Sequence, residues 1–153
     1  MTDSSRRAAR PEKKGGRPNA LFVVASAERP PAELLGLAGE LTIAFPWGSL
    51  LRGALAIDGA AARGIASLLR PGGVATILLS VAERDALDIP PLDGGSAAEI
   101  EARWSAFGPC VEGFRVAAPA EVAASRSTWA RRLSAGRDRA VWRLDLTLDA
   151  ADG

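Results

Sequence analysis

Three short runs of continuous apolar and β-branched residues constrain the fold of this chain more than any other feature. They are residues 20–26 (Ala-Leu-Phe-Val-Val-Ala-Ser), 41–45 (Leu-Thr-Ile-Ala-Phe) and 74–79 (Val-Ala-Thr-Ile-Leu-Leu). A strand that is apolar at nearly every position has both faces covered, the signature of a parallel sheet between helices. The segments between the runs read as those helices. Pro30-Pro31 starts a helical turn through Glu33, Leu34 and Leu35. Gly48 opens a stretch in which Leu51, Leu55, Ala62, Ile65 and Leu69 recur at helical spacing. Gly53 and Gly59 weaken that stretch, Asp58 caps its second half, and Pro71-Gly72-Gly73 ends it. Ser96-Ala97-Ala98-Glu99 reads as a capping box, with Ile100, Trp104 and Phe107 forming an apolar stripe behind it. Residues 111–117 form a further strand, and residues 119–124 a short helix. Residues 141–148 alternate instead, with Trp142, Leu144, Leu146 and Leu148 on one face of a half-buried antiparallel strand. The expected class is a doubly wound α/β fold, mostly parallel and closed by an antiparallel C-terminal strand.

Composition narrows the chemistry. The chain of 153 residues has no histidine and no tyrosine. A Ser-His-Asp triad, a Cys-His pair and a histidine-based zinc site are therefore excluded, and no metal is expected. The one cysteine, Cys110, excludes an internal disulfide and reads as a small buried thiol. No apolar run approaches the roughly 18 residues needed to cross a bilayer. The polar, basic N-terminus is unlike a signal peptide, so a cytoplasmic protein without a membrane partner is expected. The net charge of +1 hides a segregated pattern. Residues 1–18 carry six basic and two acidic side chains and read as a basic helix and turn, stopped at Pro11 and Gly15-Gly16. Residues 19–150 form the main domain, and 151–153 a tail. Within it, Arg126, Arg131, Arg132, Arg137, Arg139 and Arg143 face only Asp138 across residues 126–143. Such a block is either solvated surface or a local patch for a polyanion.

Phe45-Pro46-Trp47-Gly48 ends the second apolar run, which places Trp47 at the carboxyl end of a strand. That is the edge where open α/β sheets place their ligands. A second tryptophan, Trp129, sits among the arginines. Two aromatic faces with basic neighbours suit an unstacked nucleobase. The glycine pairs Gly15-Gly16, Gly72-Gly73 and Gly94-Gly95 read as turns.

Four stretches together resemble a known family. They are residues 19–24, Pro30-Pro31-x-Glu33-Leu34, Phe45-Pro46-Trp47-Gly48-Ser49-Leu50-Leu51-Arg52-Gly53 and Ser127-Thr128-Trp129-Ala130-Arg131-Arg132-Leu133. They are similar to the aminoglycoside-resistance 16S rRNA adenine-N1 methyltransferases, and the resemblance runs from about Ser4 to Leu148. It implies a Rossmann-like, class I fold dependent on S-adenosylmethionine, with sheet order 3-2-1-4-5-7-6. It also implies a cytoplasmic monomer acting on 16S rRNA in the 30S subunit. By the same resemblance Trp47 and Trp129 sandwich a flipped adenine and Pro46 shapes that pocket. Ala27 and Glu28 lie near the cofactor adenine, Ser49 near its methionine end, and Arg131, Arg132, Arg137 and Arg139 contact rRNA phosphates. Aligned by its motifs, the chain begins in the helix after the family's second strand. The expected sheet is thus incomplete, lacking the glycine-rich cofactor loop and the acidic residue that holds the ribose. A start upstream of Met1 would account for this. The strand at 20–26 and the strand at 41–45 then flank a gap, and the isolated chain is expected to be marginally stable. Two other readings stay open: a non-catalytic RNA-binding remnant, and a relative that methylates a small molecule.

Overall fold

In the computed structural model, which describes residues 6–17, 19–81, 88–125 and 140–150, four strands form one sheet. β1 (Ala38–Ala44) pairs in parallel with β2 (Leu69–Leu79), with Thr42 opposite Thr76 and Ala44 opposite Leu78. β4 (Trp142–Thr147) runs antiparallel to both β2 and β3 (Cys110–Val116). The order is β1-β2-β4-β3. Three strands therefore point one way and the C-terminal strand points back, as the alternation over 141–148 predicts. The order also matches the 4-5-7-6 half of the sheet that the family resemblance implies.

The crossover between the parallel strands is made of α1 (Ser49–Ala54) and α2 (Gly59–Leu68). Asp58 caps α2, its carboxylate accepting from the backbone N–H groups of Ala60 and Ala61 at 3.0 and 3.1 Å. Gly53 lets the two helices meet closely, since a Cβ there would lie 2.4 Å from that of Ala61. Alternation along β2 sorts the core into two parts. Ala75, Ile77 and Leu79 join Leu144 and Leu146 beneath Leu51, Leu55 and Ile65 of the crossover and Ile100 and Trp104 of α3 (Ser96–Trp104). Leu78 points the other way, into a smaller cluster with Phe45, Ala117, Val141 and Val122 of α4 (Pro119–Ala124). Helices thus cover both faces. Trp104 is fully buried, and its indole N–H donates to the Ala54 carbonyl at 3.2 Å. Trp142 stacks on Phe114 with ring centroids 4.8 Å apart.

Four expectations need correction. The run at 20–26 is not a ladder strand: Ser26 makes only an isolated bridge to Arg29, and Leu21 and Val24 are 83% and 76% exposed. A hydrophobic run becomes a strand only when a neighbour offers its backbone, and no described strand does. Second, α2 ends at Leu68 rather than at Pro71-Gly72-Gly73. β2 begins at Leu69, and those residues fall in a register break between Ala38 and Glu40 on its partner. Gly72 takes φ +72 there and donates to the Leu148 carbonyl. Third, Ser96 is the first residue of α3, not its cap. Gly95 holds the cap position, and in the turn before it the Asp93 side chain accepts from the N–H groups of Gly95 and Ser96. Fourth, Cys110 is exposed rather than buried, since it opens β3 at the sheet's end. Asp149 beside it pushes the thiol pKa up, which disfavours the reactive thiolate.

Candidate functional site

The turn after β1 is strained in a way that presents one aromatic. Phe45 has φ +53, uncommon for a residue with a Cβ, while its N–H still donates to the Leu78 carbonyl at 2.8 Å. The left-handed backbone breaks the strand's alternation. Phe45 therefore packs into the same cluster as Leu78 and its own neighbour Ala44. Pro46 is buried behind it. Gly48 follows with φ +61 and ψ −134, a conformation glycine adopts freely. Between these anchors Trp47 is turned outward and stands 69% exposed at the carboxyl end of β1. Backbone strain of this kind costs on the order of 1–3 kcal/mol per residue and concentrates at functional sites.

A second loop meets the first. Residues 26–29 form a tight turn, with the Arg29 N–H donating to the Ser26 carbonyl at 3.3 Å. Its back rests on α2, where a Cβ on Gly64 would lie 1.6 Å from the Ala27 carbonyl oxygen. Only glycine at 64 lets the turn sit there. Ser49 beside the Glu28 carboxylate, with the residue's own backbone N–H and Ser26, holds the pKa of Glu28 below the ordinary value. Glu28 is thus an ionised acceptor at neutral pH. Glu28 and Ser49, the residue that follows Gly48, thus lie together although 20 residues separate them in sequence.

Trp129, Arg131, Arg132, Arg137 and Arg139, with Arg126, lie outside the described residues. Their two flanks are described, and one carboxylate joins them. Glu121 on α4 accepts from Arg115 in both branches at 2.6 and 2.8 Å, from Arg143 at 2.7 Å and from the Ala118 N–H at 2.7 Å. Arg115, the Ala118 N–H and Arg143 hold its pKa down at about 2. Arg143 also binds Asp145 at 2.7 Å, so it belongs to this cluster and not to a free basic patch. The composition of 126–143 gave no hint of that. The signal that could have found it is the β3–β4 register, which sets Arg115 opposite Arg143.

Among the described residues no group of three acidic, cysteine or histidine side chains could hold a metal ion. No described helix is long and apolar enough to cross a membrane. The site so assembled offers an exposed indole face at the carboxyl end of β1 and an ionised carboxylate beside Ser49. It can grip a planar heterocycle and hold it still.

Comparison with known proteins is specific. The NpmA family model, described as 16S rRNA (adenine(1408)-N(1))-methyltransferase, matches residues 1–147. The chain is 39% identical over 142 residues to a protein of that description from Streptoalloteichus tenebrarius, covering 89% of this chain and 65% of the relative. The chain thus spans about 65% of the length of the first curated relatives it matches. Among solved structures it is similar to the 16S rRNA methyltransferase KamB, with TM-score 0.85 and 38% identity over 97% of this chain and 72% of that one. It is equally similar in TM-score, 0.85, to a 16S rRNA (adenine(1408)-N(1))-methyltransferase variant from Catenulisporales acidiphilia with cosubstrate SAM. That match has 30% identity and covers 100% of this chain and 72% of the other.

Proposed function

The chain belongs to the 16S rRNA (adenine(1408)-N(1))-methyltransferase family, and from that membership we propose that it serves methyl transfer from S-adenosylmethionine to N1 of that adenine. In this reading it contributes the half of the active site that holds the target base. The observation that carries the reading is Trp47, pushed into solvent by a strained turn beside the Glu28–Ser49 pair. N1 of adenine carries a lone pair and needs no general base, so a site without histidine suits the reaction. The enzyme's task is to take the base from its stack, hold it flat and exclude water. Trp47 and Trp129 stack on the two faces of the base, each face worth roughly 1–3 kcal/mol, and the buried Pro46 keeps the Trp47 backbone in place. Arg131, Arg132, Arg137 and Arg139 contact rRNA phosphates, so affinity for the small ribosomal subunit falls steeply with salt.

The residues present fit part of the cofactor. An ionised Glu28 suits a donor such as an exocyclic amine, with Ala27 beside it, and Ser49 offers a hydroxyl at the neighbouring position. S-adenosylmethionine, when bound, supplies an electrophilic sulfonium methyl group. The protein acts as a cytoplasmic monomer on the 30S subunit, with aminoglycoside resistance as the consequence.

The test joins this chain to the part of the Streptoalloteichus tenebrarius relative that has no counterpart here. The chimera is incubated with 30S subunits and labelled cofactor. The expected result is one methyl group at adenine 1408, read as a reverse-transcription stop, that disappears with Trp47→Ala. A folded, cofactor-binding chimera that leaves that adenine unmethylated would overturn the proposal.

A further inference from the structure

Ser80 carries a hydroxyl that nothing in the fold uses. Its Oγ is buried, and among the described residues it is the one buried side-chain oxygen or nitrogen that no other group meets. Buried polar atoms are almost always paired, because an unpaired one has lost its water for nothing. Alanine would fill the position without that cost. The residue as a whole is only half-buried, so a turn about χ1 to another staggered position can carry the hydroxyl outward.

Ser80 also stands at the edge that carries Trp47. β2 ends at Leu79, with Leu78 opposite Ala44 of β1 and Leu79 opposite Trp142 of β4. The Phe45 N–H still donates to the Leu78 carbonyl. Ser80 and the Phe45-Pro46-Trp47 turn therefore leave the carboxyl ends of two parallel neighbours, and neighbouring strands lie about 4.8 Å apart. One end presents an indole that is 69% exposed, the other an unpaired hydroxyl. Their capacities are complementary. Stacking accepts any base, since every base has a π-face, and it leaves the base free to rotate in its own plane. A hydrogen bond at the base's edge fixes that rotation.

We propose that Ser80 is a substrate-binding residue whose hydroxyl turns outward to accept a hydrogen bond from the exocyclic amine of the adenine stacked on Trp47. The inference rests on the functional reading and adds to it the group that orients the base. On methylation the N1–carbon bond forms as the donor's sulfur–carbon bond breaks, and the positive charge of the sulfonium passes to the purine ring without movement of a proton. The amine of that ring becomes a stronger donor as the charge arrives, so the Ser80 contact strengthens toward the transition state.

The test places Ser80→Ala and Ser80→Thr in the chimera and follows methylation of 30S subunits. Ser80→Ala should lower kcat by about tenfold or more, with little change in KM or in the affinity for S-adenosylmethionine. Its melting temperature should hold or rise, since an unpaired hydroxyl has been removed. Ser80→Thr keeps the hydroxyl and should restore most of the rate. On subunits reconstituted with purine in place of the target adenine, the parent and Ser80→Ala should react alike, because the amine is gone. Three results would each overturn the proposal: an alanine variant as fast as the parent, a loss of rate that threonine does not restore, or a difference that persists on the purine subunits. An unchanged rate in Ser80→Ala overturns this inference alone. A chimera with Ser80 intact that folds and binds cofactor without methylating overturns the functional reading, and this inference with it.

Discussion

Replacing Trp47 and Trp104 by alanine, one at a time, separates a side chain that holds a ligand from one that holds the fold. Trp47 is 69% exposed, so about a third of its surface is buried. An aromatic of this size buries about 150–250 Å² when fully enclosed. A third of that, at about 25 cal/mol per Å², limits the stability loss in Trp47→Ala to about 2 kcal/mol. Trp104 is fully buried, stands edge-on to Phe107 and donates to the Ala54 carbonyl. Its removal should cost about 3–5 kcal/mol, as for other large-to-small core changes, and strips that carbonyl of its indole donor. Binding should show the opposite order. Loss of one stacking face removes roughly 1–3 kcal/mol per base, which is about 5- to 150-fold in affinity for the 30S subunit. Urea melts of the two variants, with filter binding of Trp47→Ala, supply both numbers. The reasoning fails if Trp47→Ala loses as much stability as Trp104→Ala, or if it binds small subunits like the parent chain.

Three further outcomes follow from the geometry. In Gly64→Ala the added methyl would lie 1.6 Å from the Ala27 carbonyl oxygen, so the 26–29 turn must move. We expect a loss of about 1–3 kcal/mol and, by carboxyl NMR titration, a Glu28 pKa that climbs back toward its ordinary value. Glu121 has its pKa depressed from 4.5 to about 2 in the folded chain. Its contribution to stability is therefore complete above pH 4.5 and is lost as pH falls toward 2. Glu121→Gln should flatten the change in urea midpoint across that window. Asp58→Ala removes the acceptor for two N–H groups of α2 and should cost about 1 kcal/mol, most of it recovered in Asp58→Asn.

The elements that sequence reasoning places well are those whose signal is local. The apolar runs at 41–45 and 74–79, the alternation over 141–148, the Asp58 cap and the Pro119 helix start all announce themselves within a few residues. What is illegible depends on distant partners. The run at 20–26 states that it is apolar and not what it will pair with, so its exposure emerges only in the folded chain. The Asp93 turn that leaves Gly95 at the cap position and Ser96 inside its helix is not announced by the Ser-x-x-Glu spacing. Arg143 looks like one more arginine in a basic block until the strand register turns it toward Glu121 and Asp145. At the site, Trp47 is legible because it follows a strand's carboxyl end. The left-handed Phe45 that aims it is not, since no rule of composition calls for φ > 0 at a phenylalanine. The Glu28–Ser49 contact is likewise a product of the fold, made possible by a glycine at 64 whose role appears only in three dimensions.

The central claim is that the exposed face of Trp47 holds adenine 1408 of 16S rRNA for methylation at N1. Its most direct measurement is the reverse-transcription stop on 30S subunits treated with the chimera and S-adenosylmethionine, with and without Trp47→Ala. The account predicts a stop at adenine 1408 with the parent sequence and its loss with the alanine variant, both proteins being folded and cofactor-bound. An undiminished stop in the variant, or a methyl group at another nucleotide, would contradict it.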